Sequence, residues 1–318
     1  MVRGTLPALG LCIAVSLAGC ADQRQVFDVE PVSQGAASVR QNVTPVPPDP
    51  TPPQVALMVE AANAKLASLG STVRVNEIWL FTVGAGTSPF RQLRIGGRWI
   101  GNPVYYLDVP DFTMQLNSAD VEATLVNSFE TWNQVNASGI RAERITPSVG
   151  NVDVFDGGAA TFCLDFTAEV WGPGFSFIVP AADIVVGGWM PGSWFDECLG
   201  SANIIGVTIL LLQGDADNDN YIDNLYVEQY YNDQFTWVLE GAQFLSSDVD
   251  LESVVVHENG HALGLGHYGG AGKVPPGLFS SGNFSMIFSP EAVMNPGYLG
   301  GEKRDLFSID EAALRTLY

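Results

Sequence analysis

The sequence predicts an α+β fold, because helical and strand-like patterns occur together in one long region, residues 73–318. Residues 121–135 repeat apolar side chains with the spacing of a helix, and a second helix is expected from about residue 250 onward. Runs rich in Val, Ile, Leu and aromatic residues, bounded by turn residues, predict strands at residues 73–83, 183–189, 204–212 and 225–231.

The N-terminus has the pattern of an export signal. Arg3 precedes an apolar stretch, residues 6–18, that is too short to span a membrane. The stretch ends in the run LAGC at residues 17–20, which is similar to the bacterial lipobox, whose cysteine becomes the lipidated first residue of the mature protein. Residues 1–19 are therefore expected to be a lipoprotein signal peptide, with a plain signal peptide as the alternative. Lipidated Cys20 would anchor the protein in the bacterial cell envelope, with the outer membrane or cell surface preferred.

The segment that follows the signal divides into a tether and a short helix. Residues 20–54 are polar and rich in proline, a composition that favours extended chain. Residues 55–69 carry apolar side chains on one helical face, and Gly70 is a natural stop. The short helix, within residues 55–72, is either the remnant of a prosegment or a helix that packs on the main domain, residues 73–318.

Export also decides how the cysteines are interpreted, because disulfides persist in oxidising compartments. Cys12 leaves with the signal peptide and Cys20 is assigned to the lipid anchor, so Cys163 and Cys198 remain. A disulfide between these two residues is expected, and free buried thiols are the alternative.

An acidic run, DADNDNYID, occupies residues 215–223. Its spacing resembles the first half of an EF-hand-type calcium loop, in which oxygen ligands recur at alternate positions. Because the twelfth position is Tyr226 and not glutamate, calcium would need a further donor, Asp233 or Glu228. The alternative is a solvated acidic turn, and calcium, if bound, would stabilise the fold. The candidate ligands in the loop are Asp215, Asp217, Asp219 and Asp223.

All three histidines of the chain lie in the run HENGHALGLGH, residues 257–267. His257 and His261 are four residues apart, so their imidazoles lie on one face of a helix and reach the same metal ion. Gly264 tolerates the left-handed conformation that ends a helix and turns the chain back, which makes His267 a third ligand. Three neutral nitrogen ligands leave one position open, as in a catalytic zinc site.

Glu258 follows the first histidine directly and so points in a neighbouring direction, where it contacts a water on zinc without binding the ion. Zinc lowers the pKa of such a water to about 7, and a carboxylate takes its proton and later passes it to a leaving amine. Peptide hydrolysis is the predicted reaction. Asp250 is expected to cap the helix, although the valines after it equally suit the start of a strand.

The complete spacing HExxHxxGxxH at residues 257–267 resembles the metzincin family of zinc endopeptidases, and the matrixins most closely within it. The run EAVMNPGY, residues 291–298, looks like the methionine turn of this family, with Met294 expected beneath the zinc ligands. The resemblance covers about residues 73–318. It implies a twisted, mostly parallel sheet, a long first helix at 121–135, an active-site helix and a C-terminal helix.

The end of the domain fits this resemblance with some departures. The last helix is expected to be capped by Ser308 or Asp310. Asn259 stands where the family usually has an apolar residue, and Asn295 follows the methionine where tyrosine is common. Tyr298 lies four places after the methionine, which does not match relatives whose tyrosine binds zinc, so no metal role is expected for it. Vertebrate matrixins are latent through a propeptide cysteine, and latency of that kind is not expected here.

The net charge of −21 argues against nucleic acid as a partner and against electrostatic adhesion to anionic lipids. The expected partners are a protein or peptide substrate and the membrane, through the lipid at Cys20. The sequence as a whole predicts a surface-anchored zinc endopeptidase. The alternatives are a catalytically silent, zinc-stabilised adhesin and a structural envelope lipoprotein whose histidines support folding only.

Overall fold

The computed structural model of the protein describes residues 53–68, 74–83, 97–112, 115–145, 182–212, 214–243, 246–273 and 285–318. All of them belong to a compact unit formed by Val46–Tyr318. The signal peptide, most of the tether, Cys20 and Cys163 lie outside the described residues. Among the described residues, no helix has the length and apolar character needed to cross a membrane.

The elements follow one another in a clear order along the chain. They are α1 (Pro53–Ser68), β1 (Arg74–Val83), β2 (Val104–Leu107), a 3-10 helix (Val109–Phe112), α2 (Ser118–Asn133), β3 (Glu143–Arg144), β4 (Ile184–Met190), α3 (Gly192–Leu199), β5 (Ile204–Leu212), β6 (Asn224–Asn232), β7 (Thr236–Val238), β8 (Asp248–Asp250), α4 (Leu251–Ala262), β9 (Gly270–Lys273), β10 (Ser285–Phe288), β11 (Gly297–Tyr298) and α5 (Ser308–Leu317). The four predicted strands correspond to β1, β4, β5 and β6. The predicted first helix corresponds to α2.

Seven strands form one sheet in the order β11-β1-β5-β6-β4-β2-β3. β5 is antiparallel to both of its neighbours, β1 and β6. The other pairs of the sheet are parallel. The predicted mixture of helices with a mostly parallel sheet is therefore confirmed. β1 lies between β5 and β11, so an early strand is paired with a segment from near the end of the chain.

Helices cover both faces of this sheet. The front face, defined here as the face that packs against α2, α4 and α5, includes Leu210 and Leu212 of β5. The back face, which packs against α1 and α3, includes Val207, Ile209 and Leu211. The side chains of β5 divide in this way because successive residues of a strand point to opposite faces. As a result, α4 is enclosed between the sheet and α2.

Polar side chains set the starts of α2 and α4. Asn117 caps α2 by accepting a hydrogen bond from the backbone N–H of Ala119 at 3.0 Å. Asp250 caps α4 by accepting one from the backbone N–H of Ser253, also at 3.0 Å. These bonds satisfy N–H groups that have no partner inside the helix. The valines after Asp250 are helical, which decides between the two expectations for that segment.

Two expectations about helix ends were wrong. Phe307 is the N-cap residue of α5, and Ser308 is already helical. Asp310 lies in the first turn, and its carboxylate accepts a hydrogen bond from the backbone N–H of Phe307 at 3.0 Å. At the start of the first helix, Pro53 and Gln54 belong to α1 and not to the tether. Proline is well suited to the first turn of a helix, where its missing N–H costs no hydrogen bond.

Candidate metal centre

The three histidines meet where α4 ends and the chain turns back. Nε2 of His261 lies 3.0 Å from Nε2 of His257 and 3.1 Å from Nε2 of His267. Nitrogens bound at about 2.0–2.1 Å to a tetrahedral ion are roughly 3.4 Å apart. The three nitrogens are therefore close to the separation that a shared ion requires. They form one group of potential metal ligands, and a cation between them would offset the repulsion of their lone pairs.

Backbone carbonyls fix the tautomers of the two helical histidines. Nδ1 of His257 lies 2.6 Å from the carbonyl oxygen of Val293, and Nδ1 of His261 lies 2.7 Å from that of Leu265. Because a carbonyl oxygen only accepts, each Nδ1 carries the hydrogen and each Nε2 keeps a free lone pair. Burial lowers the pKa of His257 and of His261 well below the usual value, and the neighbouring histidines act in the same direction. Both side chains are thus neutral, as metal binding requires.

Gly264 makes the turn that returns the chain to the site. Its φ angle is 94°, in the left-handed region that favours glycine. A Cβ at this position would lie 2.1 Å from the carbonyl oxygen of Gly97. The close approach of the two backbones leaves no room for a side chain, and the turn it permits brings His267 back to the other two histidines.

Glu258 directs its carboxylate at β5. Oε2 accepts a hydrogen bond from Oγ1 of Thr208 at 2.5 Å, while Oε1 has no hydrogen-bond partner in the described part of the chain. A Cβ at Gly206 would come within 2.6 Å of Oε1, so the glycine makes room for the carboxylate. Burial raises the pKa of Glu258 to about 8, although the bond from Thr208 opposes this shift. A cation held by the histidines would favour the charged form, and the buried carboxylate with one oxygen unpartnered among the described residues would then be suited to accepting a proton.

Two aromatic side chains of β1 lie directly on the histidines. Phe81 stacks on His257 with a centroid distance of 3.8 Å, and Trp79 stacks on His261 at 4.9 Å. The rings of Trp79 and His267 are nearly perpendicular, with their centroids 5.1 Å apart. His257 and His261 are fully buried and His267 is 8% exposed. The sequence predicted β1 as a strand, but it did not predict that this strand covers the metal ligands.

The turn that contains Met294 supports α4 from below. A Cβ at Gly260 would lie 2.2 Å from Sδ of Met294, so the turn touches the helix at a position where only glycine fits. The carbonyl oxygen of Met294 accepts a hydrogen bond from the N–H of Tyr268 at 2.7 Å. The buried carboxylate of Asp310 accepts bonds from the N–H groups of Val293 at 3.0 Å and Met294 at 3.2 Å. Asp310 thus joins the turn to α5, a role that sequence reasoning missed.

Three residues near the ligands received expectations from the resemblance. Asn259 is fully buried, and neither polar atom of its amide has a partner in the described part of the chain. The amide oxygen of Asn295 accepts a hydrogen bond from the N–H of Gly297 at 3.1 Å, which helps to close the turn. The hydroxyl of Tyr298 accepts a bond from the N–H of Asp250 at 2.9 Å. The structure therefore places this phenol at the start of α4, away from the metal ligands.

The acidic loop brings together most of its predicted ligands. Asp215, Asp217 and Asp223 offer carboxylate oxygens that lie within 4.8 Å of one another. Asp219 is not part of this group, because it forms an ion pair with Arg98 at 2.6 Å. Calcium binding by this loop stays a prediction.

The two proposed additional calcium donors lie elsewhere. Asp233 accepts a hydrogen bond from the backbone N–H of Gly192 at 2.9 Å. Glu228 is fully buried on the back face and accepts one from the hydroxyl of Tyr230 at 3.2 Å. Neither residue joins the converging carboxylates of the loop.

The predicted disulfide is described on one side only. Cys198 is buried among the side chains of the back face and is disulfide-bonded. Cys163 lies outside the described residues, so the pairing of these two cysteines stays a prediction, as does lipidation of Cys20.

A comparison with protein-family models finds no match for the chain, and a comparison with curated proteins finds none either. The function is therefore inferred from the arrangement of the site residues.

Proposed function

We propose that the protein is a zinc-dependent endopeptidase of the metzincin type, anchored through Cys20 in the bacterial cell envelope. The observation that carries the proposal is the combination of three converging neutral imidazoles and the buried carboxyl group of Glu258 on the same helix, α4. The arrangement of α2, α4 and α5 on one face of a mostly parallel sheet supports the resemblance to metzincins.

Each residue of the site has its own role in the proposed hydrolysis. His257, His261 and His267 would hold zinc, which suits imidazole ligands. When bound, zinc polarises the carbonyl of the scissile peptide bond and lowers the pKa of water. Glu258 accepts the proton of the attacking water and delivers it to the amine that leaves. Thr208 engages one oxygen of this carboxyl group, which leaves Oε1 for the proton transfer.

A second function is favoured by the burial of all three histidines under β1. A fully covered metal ion contributes folding free energy without taking part in a reaction. The protein would then be an adhesin or structural envelope lipoprotein stabilised by zinc, and Glu258 would have no part in turnover.

The test compares Glu258→Gln with Glu252→Gln in the full chain. Glu252 lies on the same helix but pairs with Arg304 at 3.2 Å, away from the histidines, so it provides a matched control. Zinc content and the basal cleavage of an unfolded protein mixture are measured over hours. We expect Glu258→Gln to keep one zinc ion and to lose cleavage by about a hundredfold to ten-thousandfold. Glu252→Gln should keep both, and His261→Ala should lose both.

Cleavage by Glu258→Gln at the rate of the control would contradict the role of this carboxyl group. Zinc binding without any cleavage, even in protein whose strand β1 no longer covers the histidines, would favour the structural function. In that case removal of zinc should still lower the melting temperature.

A further inference from the structure

We propose that β1 is an internal cover, which occupies the groove where an extended peptide substrate binds and closes the metal centre until it is displaced. This inference rests on the proposed endopeptidase function.

β1 is paired along both of its edges. On one side it is antiparallel to β5 over most of its length. On the other side it is parallel to β11, with Thr82 opposite Gly297 and Val83 opposite Tyr298. Departure of β1 would expose unpaired backbone groups on both β5 and β11. Such edges are templates for an incoming extended chain, so the place of β1 has the form of a peptide-binding groove.

The register of β1 puts it beside the residues that would carry the reaction. Trp79 is directly opposite Thr208, and Phe81 is directly opposite Gly206. Thr208 binds the carboxyl group of Glu258, and Gly206 makes the space for it. A substrate carbonyl that reaches this carboxyl group and the histidines needs the volume that β1 fills. Peptide and β1 therefore exclude each other.

The composition of β1 indicates how the cover works. Its sequence, RVNEIWLFTV, contains neither cysteine nor histidine. The site is thus closed by the stacking of Trp79 and Phe81 on the imidazoles and by the backbone pairing of the strand. A cover of this kind can be displaced without exchanging a metal ligand.

Removal of β1 would leave most of the fold in place. The remaining order β5-β6-β4-β2-β3 is continuous, and α2, α4 and α5 still pack on its front face. On the back face, α1 packs against both β1 and α3, so this helix holds the cover down from the side opposite the histidines. The helix and strand together form the part of the chain that must move.

A reversible disulfide tests the cover in the full chain. Leu80 and Val207 are directly opposite in the β1–β5 pair, and both face the back of the sheet, away from the histidines. Opposite residues of antiparallel strands have Cα atoms roughly 4.5–5.5 Å apart, which suits a disulfide. Leu80→Cys combined with Val207→Cys would lock β1 in place under oxidation and free it on reduction with a phosphine. Leu80→Cys alone, treated identically, controls for reduction of the disulfide at Cys198.

Two rates are measured on the zinc-loaded protein: the loss of zinc to EDTA and the cleavage of an unfolded protein. We expect the oxidised lock to slow both rates at least tenfold and reduction to restore them. Trp79→Ala combined with Phe81→Ala, which uncovers the imidazoles, should raise both rates at least tenfold. Leu80→Ala shortens a side chain on the other face of the same strand and should change them much less.

Equal cleavage by the locked and reduced forms would overturn the cover and leave the endopeptidase function standing. If the disulfide slowed zinc loss and reduction restored it, but no form of the protein cleaved the substrate, the cover would be supported and the endopeptidase function overturned. The cover would also be overturned if neither the disulfide nor the aromatic substitutions changed the rate of zinc loss or the rate of cleavage.

Discussion

Replacement of Asp310 by asparagine is expected to weaken both the fold and the metal site. Oδ2 of this buried carboxylate accepts hydrogen bonds from the N–H groups of Val293 and Phe307, each at 3.0 Å. Oδ1 accepts a bond from the N–H of Met294 at 3.2 Å. Asparagine keeps one oxygen and places its amide nitrogen opposite the remaining donor. The N–H of Met294 then loses its acceptor and meets a second donor.

The cost follows from these three bonds. A buried donor left without a partner costs about 1–3 kcal/mol. Each of the two remaining hydrogen bonds is weakened by about 1 kcal/mol because its acceptor is no longer charged. Burial raises the pKa of Asp310, and a neutral side chain avoids the desolvation cost behind this shift. We therefore expect a loss of about 3 kcal/mol in the free energy of unfolding. In a domain of this size that loss lowers the melting temperature by roughly 10 °C.

The effect should reach the metal because Val293 also accepts the hydrogen bond that orients His257. Loss of such a supporting contact typically weakens metal affinity about tenfold to a hundredfold. The assay is thermal unfolding with and without zinc, together with zinc affinity from competition with a chelating dye. Asp305→Asn, at an exposed carboxylate just before α5, is the control. Equal melting temperatures and equal zinc affinities of Asp310→Asn and Asp305→Asn would refute this role of Asp310.

Two further predictions concern other carboxylates. If the acidic loop binds calcium, millimolar calcium added to EGTA-treated protein should raise the melting temperature, and Asp223→Asn should remove most of this rise; an unchanged melting temperature would indicate a solvated turn. Burial raises the pKa of Glu228 from 4.5 to about 8, so the unfolded chain loses this proton at lower pH than the folded protein. The free energy of unfolding should therefore fall between pH 4.5 and 8, by up to about 5 kcal/mol from this residue. Glu228→Gln should lose that part of the pH dependence in urea unfolding at pH 5 and pH 8, whereas identical pH dependence in both proteins would contradict the assignment.

The features that sequence reasoning predicted well are those that depend on neighbours along the chain. The spacing of His257, His261 and His267 acts through a single helix and the turn at Gly264, so the pattern alone indicates that the imidazoles meet. β5 was predicted with the bounds that the structure gives, because a continuous apolar run describes a strand that is buried on both faces.

The remaining features depend on pairings between distant segments. Trp79 and Phe81 appear in the sequence as ordinary residues of a strand, and only the position of β1 in the sheet brings them onto the imidazoles. Asp310 was predicted as a possible helix cap, whereas two of its partners lie in the turn that precedes α5 by many residues. No periodicity in the sequence encodes these contacts, since they arise from packing.

The position of β1 between β5 and β11 has a consequence for the order in which the chain assembles. β1 precedes both of its partner strands in the sequence, and β11 also follows α4, the helix that bears the histidines. Pairing between such distant segments is slow to form, so the β1–β11 pair is expected to form after the local contacts within α4. Until β1 takes its final place, Trp79 and Phe81 would not cover the imidazoles, and an ion would have direct access to them. Metal uptake would then be a step of folding, completed before the last strand enters the sheet.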